Sequence, residues 1–366
     1  MAHEPAAPKS PDAIGTMVLD NDAWLARRPA EEILEPELPI VDPHHHLWHR
    51  KHHRYLLDEL LADTRSGHRV LATVFVDCMA FYRADGPAAL RPVGETEFAN
   101  GVAAMGASGF YDDKHGGRHG EFRPCAGIVG FADLTLGAAV SEVLAAHIAA
   151  GGGPGGRFKG IRHAGGWDAS PMIHNSHTKP PRGLYGDAVF RQGFAQLAPL
   201  GLSFEAWQYH PQLPEVTALA RAFPDTAIVL NHVGGPLGVG PYSSQFAGKA
   251  DETFAQWRRH ISELAGCPNV TVKLGGLGMR IGPIQHFKLP DPPTSTQVAD
   301  AWRPWIEHCI EAFGPARGMF ESNFPVDKTS AGYAVLWNAF KRLAAGASAS
   351  EKADLFADTA RRVYRL

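Results

Sequence analysis

The chain has 366 residues, 45% of them hydrophobic, with 35 Lys+Arg against 38 Asp+Glu and a formal charge of -3. That length holds one large domain or two ordinary ones. The near-neutral balance, without a basic stripe, argues against nucleic acid and anionic membranes as partners and leaves a small-molecule substrate.

Residues 1–30, rich in Pro, Ala and polar groups, read as a mobile N-terminal segment ahead of a single domain over 31–366. Four scattered cysteines, Cys78, Cys125, Cys267 and Cys309, form no CxxC pair, which suits free thiols in a reducing compartment. With no leader-like apolar stretch and no run of 18 apolar residues, a soluble, cytoplasmic protein is expected. Assembly into a homo-oligomer stays open.

Short apolar or β-branched runs recur along the chain. Their cores are Ile40-Val41, Val70 to Val76, Ala126 to Phe131, Phe158 to Arg162, Leu202 to Trp207, Ala227 to Leu230, Val270 to Leu274 and Met319-Phe320. Helical periodicity follows nearly every one: Leu56 to Ala62, Glu97 to Met105, Ala138 to Ala150, Ala188 to Leu197, Leu213 to Phe223, Glu252 to Leu264, Val298 to Phe313 and Ala334 to Leu343. A last helix is expected from Ser350 to about Val363. This alternation predicts an α/β fold, a closed (β/α)8 barrel, with an open doubly wound sheet as the competing arrangement. No GxGxxG follows the first strand, so the dinucleotide version of the open sheet loses its support. GGGPGG at 151–156 precedes a strand and lacks a Lys-Ser/Thr ending, and it reads as a flexible connection.

In a parallel barrel, active-site groups sit at the C-terminal ends of strands. The first strand ends in His44 and His46, two residues apart and so on one face, with His45 on the other. A pair of imidazoles in that position is half of a metal site; a His-rich surface tract, given His49, His52 and His53, is the alternative. The fourth strand brings Arg162 and His163, the fifth Glu205 and Trp207, the sixth Asn231 and His232, the seventh Lys273, and the eighth Glu321 and Asn323. Buried charges need partners or a metal. Insertions at 77–94 and 164–186, rich in Gly, Pro, His and aromatics, would wall a pocket over these ends.

VDPHHHLW, FKGIRH, LNHVGGP, VKLGGLGM and MFESNFPVDK, in this order, resemble the TIM-barrel metal-dependent hydrolases of the amidohydrolase-related family, in the branch with sugar-lactone and muconolactone hydrolases. The resemblance spans about residues 39–366. It implies a first-strand ligand pair at His44 and His46, a sixth-strand ligand at His232, and an eighth-strand aspartate where this chain has Asn323. An amide can ligate through oxygen but cannot act as a carboxylate base. Glu321, two residues earlier, is the candidate substitute, and Glu205 is preferred to His210 as fifth-strand ligand.

The resemblance therefore implies a Zn- or Mn-dependent hydrolase of a lactone or related carbonyl compound, its metal held by His44, His46, Glu205, His232 and Asn323. His163 or Glu321 would transfer protons, Arg162 and Lys273 would grip a substrate carboxylate, and Trp207 would form an apolar wall. For both cations an internal ion pair is the alternative. Divergent members of the superfamily are dinuclear iron or manganese/iron monooxygenases, and the Asn323 substitution keeps that reading in view. Decarboxylation ranks below both, and a binding subunit that has lost catalysis is a third class.

Overall fold

The computed structural model describes residue 15, residues 21–109 and residues 122–366. Eight strands form one parallel sheet in sequence order: β1 (Pro39–His45), β2 (Arg69–Val76), β3 (Arg123–Gly130), β4 (Phe158–Arg162), β5 (Ser203–Ala206), β6 (Ile228–Leu230), β7 (Val270–Leu274) and β8 (Gly318–Phe320). Every expected run becomes a strand. The sheet curls round so that β1 meets the segment leaving β8: His45 bridges Phe324 in parallel, and His46 N donates to Phe324 O at 2.7 Å. This is the (β/α)8 barrel, not the open sheet.

The helices that follow the strands pack outside, from Leu57–Thr64 to Tyr333–Leu343. The eighth-strand approach helix begins at Ser295, three residues before the expected Val298. A capping box explains the shift, with Thr294 Oγ1 accepting from Gln297 N at 3.2 Å and Gln297 Oε1 accepting from Thr294 N at 2.8 Å. The last helix is not continuous either. Ala349–Ala353 passes through a π turn at Asp354–Asp358 into Thr359–Tyr364, and along it Leu355 and Phe356 join the outer core while Ala357, Ala360 and Tyr364 join the inner one.

The expected mobile segment lies outside the described residues for positions 1–14 and 16–20. From Asn21 the chain is tied down: Asn21 Nδ2 donates to Thr329 O at 2.9 Å, and Trp24 Nε1 to Pro290 O at 3.1 Å. A hairpin, Trp48–Arg50 paired with His53–Tyr55, follows β1 and was not foreseen, because its short arms carry no alternating apolar pattern. All four cysteines are buried free thiols. Among the described residues no helix is long and apolar enough to cross a membrane.

Val41, Val74, Val76, Val129, Val229 and Met319 fill the lower barrel interior, the layered packing expected of such barrels. Above them lies a polar layer. Glu205 on β5 forms an ion pair with Lys273 on β7 at 2.8 Å, and accepts hydrogen bonds from the Asn231 amide and the Tyr364 hydroxyl. Glu205, Lys273 and Tyr364 are all fully buried. Removing one partner strands the other charge without solvent, so Lys273→Met is expected to destabilise the fold by about 3–5 kcal/mol. Adding Glu205→Gln should recover a large part of that loss; equilibrium urea unfolding of the single and double variants measures both.

Candidate active site

The mouth of the barrel, at the C-terminal ends of the strands, holds a cavity of about 330 Å³. His46, Arg162, Trp207, His232 and Asn323 line it, together with His177 from the 164–186 insertion and Cys78 from the loop after β2. His44 sits directly beneath, fully buried.

The imidazoles are held in defined orientations. His46 Nδ1 lies 2.8 Å from Val76 O; a carbonyl only accepts, so Nδ1 carries the proton and Nε2 the lone pair. His232 Nδ1 lies 2.7 Å from Glu321 Oε1, whose oxygen also accepts from His232 N at 3.1 Å. His44 Nδ1 lies 2.9 Å from Glu321 Oε2, without completing a well-aligned hydrogen bond, and 3.2 Å from Lys273 Nζ. On its other side, His44 Nε2 faces the Arg162 guanidinium at 3.4 Å. For His232 a carboxyl partner on Nδ1 leaves Nε2 facing away from it, the arrangement common behind metal-bound histidines; His44 Nδ1 is approached by both Glu321 and Lys273.

His44 Nε2 and His46 Nε2 are 3.3 Å apart. With His44 protonated on Nδ1 toward Glu321, both facing atoms carry lone pairs that a cation between them would join; with Lys273 Nζ donating to Nδ1, His44 Nε2 donates to His46 Nε2 instead. For tetrahedral zinc with bonds of about 2.0–2.1 Å, two nitrogen ligands stand roughly 3.3–3.4 Å apart. Burial, reinforced by Lys273 for His44 and by Arg162 for His46 and His232, holds all three imidazoles well below their ordinary pKa and hence neutral, the form that ligates. His44, His232 and Glu321 also bring one ligand atom each within 4.8 Å of one another. That cluster counts Glu321 among the donors and the His44–His46 pair brings a third imidazole beside it; neutral imidazoles with a carboxyl are a donor set that suits a divalent ion.

Backbone geometry at the strand exits serves this grouping. His232, Val233 and Asn323 have φ of 54°, 45° and 54°, left-handed values that cost non-glycine residues about 1–3 kcal/mol each and concentrate at functional sites. Across from them, a Cβ on Gly275 would fall 2.6 Å from Glu321 Cγ, and one on Gly276 2.4 Å from His232 Cβ. The β7 exit approaches both side chains because it lacks its own.

Several expected roles change. Glu205 does not join the histidines; its carboxylate is engaged one layer lower by Lys273, Asn231 and Tyr364. Lys273 is fully buried in that pair and does not reach the cavity. Arg162 does line the cavity, but its Nε donates to Asp77 Oδ1 at 2.6 Å and a second nitrogen to Asp77 O. Glu321 orients two imidazoles and is pushed up to about 8 by burial, with Lys273 opposing. His163 lies off the cavity, accepting from Leu134 N at 3.2 Å and packed on Phe131 and Phe190; burial lowers it to about 4. Trp207 takes its expected place, its ring edge-on to His232 at 4.9 Å.

Asn323 lines the cavity and donates through Nδ2 to Asp327 Oδ1 at 2.9 Å. Asp327, buried and raised to about 8 by desolvation against the Asn323 bond, was not singled out from sequence; its i+4 spacing from Asn323 was the available signal. Asp77 and His177 were also missed, although both fall within the two insertions. Their side chains meet, with His177 Nε2 3.1 Å from Asp77 Oδ2.

Comparison with known proteins agrees with this architecture. The protein y4mH of Sinorhizobium fredii (strain NBRC 101917 / NGR234) is 33% identical over 358 residues, covering 90% of this chain and 99% of the relative. An L-fucono-1,5-lactonase of Burkholderia multivorans (strain ATCC 17616 / 249) is 31% identical over 194 residues, covering 50% of this chain and 58% of that protein. The crystal structure of an amidohydrolase from Burkholderia multivorans with bound zinc superposes with a TM-score of 0.64 at 23% identity, covering 89% and 99% of the two chains. Residues 41–366 match the amidohydrolase family as a whole, and the chain belongs to that family.

Proposed function

We propose that the protein is a single-ion, metal-dependent hydrolase of a small lactone. The observation that carries this reading is the 3.3 Å approach of two neutral imidazole nitrogens, His46 Nε2 in the cavity lining and His44 Nε2 buried beneath it. His232 would supply the third nitrogen, fixed through Glu321. A divalent ion held there would polarise a carbonyl oxygen and make a bound water more acidic.

The surrounding residues suit a small cyclic ester, and Arg50 in the cavity lining, donating to Cys78 O at 3.0 Å and lying over the Trp48 ring, offers it a cation. Both cations expected to grip a carboxylate are neutralised internally, Arg162 by Asp77 and Lys273 by Glu205. Trp207 gives an apolar wall, and Asn323 keeps its amide oxygen as an acceptor while its nitrogen is held by Asp327. The cavity volume admits a monosaccharide-sized ligand. The named lactonase relative supports the same substrate class.

The dinuclear iron reading called for more ligands than three histidines, with Glu205 foremost among them. That carboxylate is committed to the barrel interior, so the single-ion hydrolase is preferred.

Elemental analysis of freshly purified protein is expected to find about one zinc or manganese per chain, lost in His46→Ala with the fold retained by circular dichroism. Full metal retention in that variant would overturn the site. Close to two irons per chain, with O2 consumption, would reverse the choice of reaction. L-fucono-1,5-lactone and related aldonolactones are the substrates to assay first.

The Asn323–Asp327 bond generates a separate expectation. Asn323→Asp alone sets two buried carboxyls against each other, so it should lower activity. Exchanging the pair, Asn323→Asp with Asp327→Asn, keeps the hydrogen bond and moves the carboxylate to the cavity. Steady-state kinetics should show the exchange raising kcat, by up to about 10²-fold, the lower range for a positioned general base.

A further inference from the structure

We infer that His177, oriented by Asp77, is the proton-transfer residue of this cavity and takes the place of the carboxylate that position 323 lacks. The inference rests on the hydrolase reading above.

Hydrolysis needs a group to take a proton from the attacking water and return one to the leaving oxygen. Asn323 cannot do so, and Glu321 faces the rear nitrogens of His44 and His232. His163 is outside the cavity. Among the described residues lining it, His46 and His232 present their nitrogens to the ion site and Arg162 is bound by Asp77. The Cys78 thiol, raised well above its ordinary pKa by burial and then by Glu95, faces Leu47 O and Glu95 Oε1 at 3.4 Å each.

His177 meets the requirement. Its Nε2 lies 3.1 Å from Asp77 Oδ2, and Asp77 is itself fixed through its other oxygen by Arg162 at 2.6 Å. Burial alone would raise the Asp77 carboxyl, but Arg162 and His177 overcome that effect and hold it below the ordinary carboxylate range. An ionised carboxylate only accepts, so His177 carries its proton on Nε2 and its lone pair on Nδ1. This is the orientation that a buried aspartate imposes on a catalytic histidine elsewhere. The side chain of His177 is 30% exposed while that of Asp77 is 0%, so the ring can exchange protons with solvent. The loop is not loose: Ser176 N donates to Gly166 O at 2.7 Å, and Lys179 N to Ser176 O at 2.8 Å.

The step balances without a further reagent. As the water oxygen bonds to the lactone carbonyl carbon, its proton moves to His177 Nδ1. The ring C–O bond then breaks, and the same proton passes to the departing alkoxide oxygen. One lactone and one water give one hydroxy acid.

Two measurements test this. With an aldonolactone substrate and metal-loaded protein, His177→Gly is expected to keep its metal and lose at least about 10²-fold in kcat, with KM changed less than threefold. Added imidazole should restore part of the rate, which a structural role would not allow. A His177→Gly kcat within threefold of the parent overturns the inference. The second readout needs no substrate: 15N-histidine NMR of the resting protein should show His177 as the Nε2–H tautomer, with that preference lost in Asp77→Asn. A parent enzyme inactive on every lactone but showing this tautomer would sink the lactonase reading and keep the dyad. An Nδ1–H tautomer overturns the dyad whatever the activity.

Discussion

The site depends on one buried carboxylate that faces two histidines. Glu321, on the segment leaving β8, approaches the Nδ1 atoms of His44 from β1 and His232 from the end of β6. It thereby ties β1 to β6 across the β8 exit and lies on the Nδ1 side of both rings. The same segment carries the backbone contacts that close the sheet, Asn323 N to His44 O at 3.0 Å and His46 N to Phe324 O. The segment that closes the barrel also brings His44, His232 and Glu321 together.

Around this centre the charges are arranged in cancelling pairs: Lys273 with Glu205 below, Arg162 with Asp77 beside. Each pair spans two strand ends, and each cation also stands near an imidazole it keeps neutral. Paired in this way, the charges are tolerated in a low-dielectric interior where single ones would be costly. Asp42 adds a buried acid, accepting from Ser322 N and the Tyr333 hydroxyl at 3.0 Å each and raised to about 6 by burial. Among the described residues, the charge left facing a ligand in the cavity lining is that of Arg50, which donates to a backbone carbonyl and lies over the Trp48 ring.

Much of this was legible in the sequence. The strand runs, their helical partners and the HxH spacing all have local periodicities, and they predicted the barrel, the shared face of His44 and His46, and the cavity position of Trp207 and Asn323. What failed was depth. Alternation says which residues face the barrel axis but not how far along it each side chain reaches, so Glu205 and Lys273 were assigned to the mouth when they form the layer beneath. His163 failed for a related reason: it lies one residue past the end of β4, where strand alternation no longer applies. Asp77 and His177 are 100 residues apart, and no local pattern marks a contact made by two insertions.

The bare β7 exit has an evolutionary consequence. Gly275 and Gly276 bring no side chain to the cavity, yet they are the mould against which Glu321 and His232 are pressed. A single added methyl at position 276 would displace an imidazole without altering any group that binds or reacts. Loss of chemistry in this barrel can thus begin at a residue with no side chain, and the heritable signature of the centre extends to positions that a catalogue of ligands would omit.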